Sequence, residues 1–338
     1  MTEIIDESRP SFTHVRSWSY SVQQIVRRIP PPLLALTLAV LLFILGGIVR
    51  PGFTNAEQAI SILRLAAILA FISAGQTLVI ISGEEGIDLS IGAVVTLSAI
   101  LTFRIASGQN EMLLPGFLVA LGVGAGIGFI NGVGITLLGV PPLVMTLSMA
   151  GVVAGSIRAV TFGQFEGGTP PLLRDVISAP LVAGIPGIVI LWILFGVGIW
   201  LLLERTTYGK HLFAVGVNRR AAMLSGVRVK WIVVITFTIS GLLAALAGIV
   251  FLGHTQTVFL NLGENKLFPS IAAVVVGGTA LSGGRGSYWG TMAGALVLQL
   301  IESLLQALNI AQAYQWIILG LMLIVITSIY GRERRLRQ

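Results

Sequence analysis

Residues 204–231 read ERTTYGKHLFAVGVNRRAAMLSGVRVKW. Apolar runs flank this stretch, 185–203 before it and 232–252 after it. Each is about 20 residues, enough for a helix to cross a hydrocarbon layer about 30 Å thick. Between them lie Arg205, Lys210, Arg219, Arg220, Arg228 and Lys230 against a single acid, Glu204. A short loop this rich in Lys and Arg is retained on the cytoplasmic side of a membrane. The orientation of every other span follows from that.

The loop carries a helix signal of its own. Asn218 is a good N-cap, Arg219, Arg220, Ala221, Ala222, Leu224 and Ser225 follow as a short run, and Gly226 suits a C-terminal stop. About two turns of helix are marginal in water, because nucleation is costly. Two readings stand: an ordinary solvated positive-inside loop, or a helix that docks on a cytoplasmic partner.

Composition agrees with a membrane protein. The 338 residues are 55% hydrophobic and 10% charged, whereas soluble domains carry about 25% charge. The net charge of +7 is concentrated in the N-terminal tail, the central loop and the C-terminal tail. That is an orientation pattern and not a nucleic-acid signature, so no nucleic-acid partner is expected. No cysteine is present, and His14, His211 and His254 fall in separate polar segments with no metal-ligand spacing.

Outward from the loop, candidate spans lie at 32–49, 60–82, 89–103, 113–138, 142–160, 185–203, 232–252, 269–281, 289–308 and 316–330. The fold class is therefore all-α and polytopic, with about ten spans between tails at 1–31 and 331–338. An even count puts both tails in the cytoplasm with the loop, as their arginines require, and places 163–175 on the periplasmic side. Two spans, 89–103 and 269–281, are short, and each adjoins a glycine-rich run, 83–92 and 277–287. Such segments are either broken helices beside a transport pathway or plain cytoplasmic turns. The two runs match one another as G-x-D-x-S-x-G against G-x-G-x-Y-x-G, a pattern an internal repeat would leave.

Enzyme chemistry finds little support. Leu281-Ser282-Gly283-Gly284 has the first letters of an ABC-ATPase signature, but the chain holds no G-x-x-x-x-G-K-[ST] phosphate loop. No H-E-x-x-H and no G-x-S-x-G is found either. Asp88 or Ser90 reads as a helix cap or, more sharply, as a cation or proton site. Gln299, Glu302, Ser303 and Gln306 follow i, i+3, i+4, i+7 and make one polar stripe, either packing glue or a pathway lining. Arg64 and Arg158 are expected to snorkel from span ends.

Three motifs, in order, resemble the permease subunits of the ribose-type branch of bacterial ABC sugar importers. They are Gly86-Ile87-Asp88-Leu89-Ser90-Ile91-Gly92; the loop from Thr207-Tyr208-Gly209-Lys210 through Gly216, Asn218 and Leu224-Ser225-Gly226; and residues 271–279 with Gly283-Gly284-Arg285-Gly286-Ser287. The sequence departs from the family pattern at Val217, where glycine is usual, and at Glu84-Glu85, where a small residue is common. The resemblance implies an inner-membrane importer of two permease copies as a homodimer, two ABC ATPase subunits and a periplasmic sugar-binding protein. ATP and magnesium would sit on the partner ATPase, with no cofactor or metal on this chain. Gly209 and residues 218–226 would form the coupling element, and the cargo would be a monosaccharide. An ion-coupled secondary transporter, with Asp88 or Glu302 as the coupling site, is the other class to weigh.

Overall fold

The computed structural model describes residues 30–84, 86–182 and 184–331. Most of the expected N-terminal tail, Glu85 and the expected C-terminal tail from 332 lie outside the described residues. The chain forms helices α1 (Pro31–Val49), α2 (Ala56–Ile81), α3 (Ile91–Ala106), α4 (Leu113–Thr136), α5 (Pro142–Thr161), α6 (Pro171–Ser178) and α7 (Gly187–Arg205). They continue with α8 (Thr207–Val217), α9 (Arg219–Leu224), α10 (Val229–Thr255), α11 (Leu267–Val276), α12 (Tyr288–Ala307) and α13 (Gln312–Gly331). One small ribbon pairs β1 (Pro180–Val182) with β2 (Ile185–Pro186).

Seven of the described helices, α1, α2, α4, α5, α7, α10 and α12, are long and apolar enough to cross a membrane. With α3, α11 and α13, every expected span corresponds to a helix, so the chain is an all-α polytopic membrane protein. The core is α2 and α10. From Ala66 to Ile81 every residue of α2 is buried, as an all-round apolar and small sequence requires. Peripheral helices instead leave Leu41, Ile48, Leu118, Leu147 and Val152 exposed, where acyl chains would meet them.

Helix packing in lipid lacks a hydrophobic drive, so close contact depends on small side chains. Helix α4 shows this at a four-residue spacing. Gly124, Gly128 and Gly132 lie against Gly241, Phe237 and Val234 of antiparallel α10, where a Cβ would sit 2.5, 2.1 and 2.7 Å from backbone atoms. Gly122 and Gly126, on other faces, have nothing within 4 Å.

The two short spans are half-helices of 16 and 10 residues, about 24 and 15 Å long. After α2 ends, residues 86–90 lie among the helices, Asp88 meets Ser240 near the middle of α10, and α3 starts there. After α10 ends, residues 256–266, helical only in a 3₁₀ turn at Glu264–Lys266, run back from the opposite end. Gly263 then packs on Gly92 and Val95, its N–H donates to Thr96 Oγ1 at 3.0 Å, and α11 starts. Each unit is a long helix, a re-entrant link, a half-helix and a full helix, in opposite orientations. This inverted repeat corrects the pairing read from the glycine runs. The partner of 83–90 is 256–266, whereas 277–287 is a turn, and the second half-helix stops at Val276 and not at Leu281.

Candidate functional site

Two features stand out: the surface formed by α8 and α9, and the links beneath it. Helix α8, within the stretch expected as loop, is capped by Thr206, whose Oγ1 accepts from Gly209 N–H at 3.1 Å. Gly209 turns so close under α7 that a Cβ would stand 2.0 Å from the Leu203 carbonyl oxygen. Leu212 and Val215 anchor α8 in the core, and Tyr208 Oη lies 3.0 Å from Thr236 Oγ1 of α10.

Helix α9 forms as its caps dictate. Asn218 Oδ1 accepts from Ala221 N–H at 2.9 Å. At the other end Gly226, at φ +85°, donates to Met223 O while Val227 donates to Ala222 O, both at 3.0 Å. That pair of bonds is the glycine-terminated helix stop. Ala222 is the buried anchor, and Arg220, Ala221 and Ser225 face out. Beside them Val217, Met223, Leu224 and Trp231 are exposed by 71, 60, 81 and 59%. Together they make an exposed apolar patch ringed by Lys and Arg at the end of the helix bundle, a candidate interaction surface.

This surface is fastened to the first re-entrant link. A Cβ on Gly216 would stand 1.9 Å from the Ile81 carbonyl oxygen, and Gly283 packs against the Cα of Gly83. Gly284 N–H also donates to Ile81 O at 2.9 Å. The ends of α2, α8 and the α11–α12 turn therefore meet backbone to backbone. Arg219, the first residue of α9, pairs with Glu84 at 2.5 Å. Burial lowers the affinity of the Arg219 guanidinium for its proton, and Glu84 opposes that shift.

Deeper in the bundle, Asp88 is 1% exposed and both its oxygens are engaged. Oδ1 accepts from Ser90 N–H at 3.0 Å and from Ser90 Oγ, and Oδ2 accepts from Ser240 Oγ at 2.8 Å. Ser90 Oγ in turn accepts from Asn131 Nδ2 of α4 at 3.0 Å, and Thr146 of α5 donates to the Ile87 carbonyl. Ser90 is the N-cap residue of α3 with no cap bond from its side chain; Asp88 holds the Ser90 N–H and hydroxyl and ties the start of α3 to α10, while Ser90 ties it to α4.

The polar stripe of α12 is divided. Gln299 and Ser303 are buried, Glu302 is partly exposed opposite Lys266, and Gln306 is exposed. Arg158 lies in the last turn of α5, as snorkelling requires. Arg64 does not follow suit: it sits about 12 Å into α2, and its Nε is buried without a partner. Lys266 carries no signal in the sequence, where it is a lone lysine between two apolar runs. Only the return of 256–266 into the bundle makes it notable.

Comparison with known proteins places these features in a family context. The model of the family described as branched-chain amino acid transport system / permease component matches residues 58–327. The ribose import permease protein RbsC of Bacillus subtilis (strain 168) is 34% identical over 287 residues, covering 84% of this chain and 88% of that protein. The autoinducer 2 import system permease protein LsrC of Yersinia enterocolitica is 34% identical over 309 residues, covering 90% and 85%. The fructose import permease protein FrcC of Rhizobium meliloti is 34% identical over 319 residues, covering 88% and 84%. No solved structure matches the chain.

Proposed function

The chain belongs to the family of branched-chain amino acid transport system permease components, and on that premise we propose that it is the membrane subunit of an ATP-driven importer carrying a monosaccharide across the bacterial inner membrane. Relatives named for ribose and fructose support a pentose or hexose as the cargo over an amino acid. A separate ABC ATPase, a periplasmic sugar-binding protein and a second copy of this chain complete the assembly. The α8–α9 end faces the cytoplasm with both termini, because six of its loop residues are Lys or Arg against one acid.

The observation that carries the mechanism is the junction of α9 with the first re-entrant link. A docked ATPase moving α9 displaces Arg219 and the Gly216 contact, and with them Glu84, Asp88 and half-helix α3. Transmission of this kind needs an element whose contacts differ between two states, and half-helix α3, tied at its start to α4 and α10 by side-chain hydrogen bonds, would be that element. Asn218, Arg220, Ala221, Leu224 and Ser225 present the docking face, and Ala222 and Gly226 set its geometry.

The test is reconstitution with the ATPase and binding protein, using labelled D-ribose and D-fructose with leucine as the competing cargo class. Gly226→Val forces a β-branched residue to φ +85°, and Ala222→Glu drives a charge into the anchor point. Both variants are expected to insert in the membrane and to lose binding-protein-stimulated ATP hydrolysis. If both keep stimulated hydrolysis and uptake, the loop is not the coupling element.

A further inference from the structure

The second re-entrant link poses a physical problem that its counterpart does not. Residues 86–90 are buried or half-buried beneath α4, α5 and α10, but Asn261, Glu264 and Asn265 of the second link are exposed. Lys266 and Glu302 are also part open, at 23 and 22% side-chain exposure, with Nζ and Oε2 3.8 Å apart. Lys266 is the N-cap residue of half-helix α11, whose start lies inside the bundle and not at the ends of the full-length helices. Gly263 packs on Val95, and Val95 packs on Gly248, which is about 10 Å inside the last residue of α10. Glu302 is itself about 8 Å inside Ala307, the last residue of α12.

Irregular backbone at that depth is tolerated only where protein buries it or water reaches it. Charged side chains there face water or one another, not lipid. Gln299 adds a second, independent sign. It lies one turn from Glu302 on the same stripe, is 2% exposed, and its Oε1 has no hydrogen-bond partner. A buried amide oxygen without a donor costs free energy unless something else supplies one.

We propose that Lys266, Glu302 and Gln299 form a water-lined binding site for a neutral polyhydroxylated solute on its way through the bundle. This rests on the sugar-importer reading above. Lysine offers donors, and the carboxylate and the free amide oxygen offer acceptors, so together they match the hydroxyls of a polyol. The ammonium–carboxylate separation is too long for a tight hydrogen bond, so one hydroxyl fits by accepting from Lys266 and donating to Glu302. Phe268, 65% exposed two residues on, offers an apolar face for the ring carbons.

The experiment uses the whole importer in proteoliposomes, and the chain has no cysteine of its own. Asn265→Cys is treated with a charged, membrane-impermeant methanethiosulfonate, with and without D-ribose. Labelling that D-ribose slows is the expected result; a thiol that stays inert overturns the water-lined site. Glu302→Gln and Lys266→Met are expected to raise the half-saturation for D-ribose about tenfold with the maximal rate retained, the mark of lost uniform binding through charged hydrogen bonds. Two further results overturn the proposal. One is full recovery in the exchanged pair K266E/E302K, which makes the ion pair a brace between two elements. The other is efficient cross-linking of Asn265→Cys between two copies with uptake unchanged, which makes this face a permease–permease contact. If the unmodified importer carries neither D-ribose nor D-fructose, the sugar reading fails, while labelling still decides whether the site is wet.

Discussion

Asp88 is where a single side chain separates two mechanisms. Alanine there leaves Ser90 N–H and the Ser240 hydroxyl without acceptors in a buried site, at about 1–3 kcal/mol for each stranded group. Asparagine keeps one acceptor oxygen and the side-chain size. Asp88→Asn is therefore expected to retain most assembly and uptake, while Asp88→Ala loses both, read by yield of folded protein in detergent and by transport. A normally folded Asp88→Asn protein with no uptake would show that the charge itself is needed, and would revive an ion-coupled mechanism. The Glu84–Arg219 pair is tested the same way. Because one partner is largely exposed, it contributes at most about 1 kcal/mol to stability. Glu84→Ala is thus expected to leave thermal stability nearly unchanged but to weaken stimulated ATP hydrolysis, with the exchanged pair E84R/R219E recovering part of it.

Among the elements, α4 offers an internal control. A methyl group added at Gly128 would press on the Phe237 carbonyl at 2.1 Å, while one at Gly126 meets nothing. Gly128→Ala is expected to cost about 1–3 kcal/mol and to lower the melting temperature in detergent. Gly126→Ala is expected to be neutral or slightly stabilising, since alanine has the better helix propensity. Equal effects at both sites would mean that α4 and α10 do not approach as described. The caps of α9 were legible in advance because Asn218 and Gly226 act through bonds to their near neighbours. Helix α8 was not, since its stability comes from Leu212, Val215 and Tyr208 packing on distant helices, and a window of sequence does not contain those partners. The half-helices were half legible. Their shortness is visible along the chain, but which non-helical run re-enters depends on what it meets. The glycine-rich 277–287 looked the better candidate, yet 256–266 is the segment that goes in.

For the whole molecule, sidedness is the first thing to measure. Single cysteines at Arg220 and Gln164 are expected to differ on intact spheroplasts, with only Gln164→Cys reacting with an impermeant reagent. Reaction at Arg220→Cys would invert the molecule and remove the ATPase from α9. The ten-span plan and the basic loop end were readable from hydropathy and charge, but the antiparallel equivalence of the two halves was not, because it resides in geometry and leaves almost no trace in residue identity. That equivalence has an energetic corollary. If each half can take the conformation of the other, the form open to one side and the form open to the other are made of nearly the same contacts, and to first order have equal free energy. The parts that break the symmetry are those inserted between the halves, α5 through α9. They need to favour one form by only a few kcal/mol to reverse the populations. Nucleotide turnover then acts as a bias on a balance already close to level, and most of the bundle can be rigid.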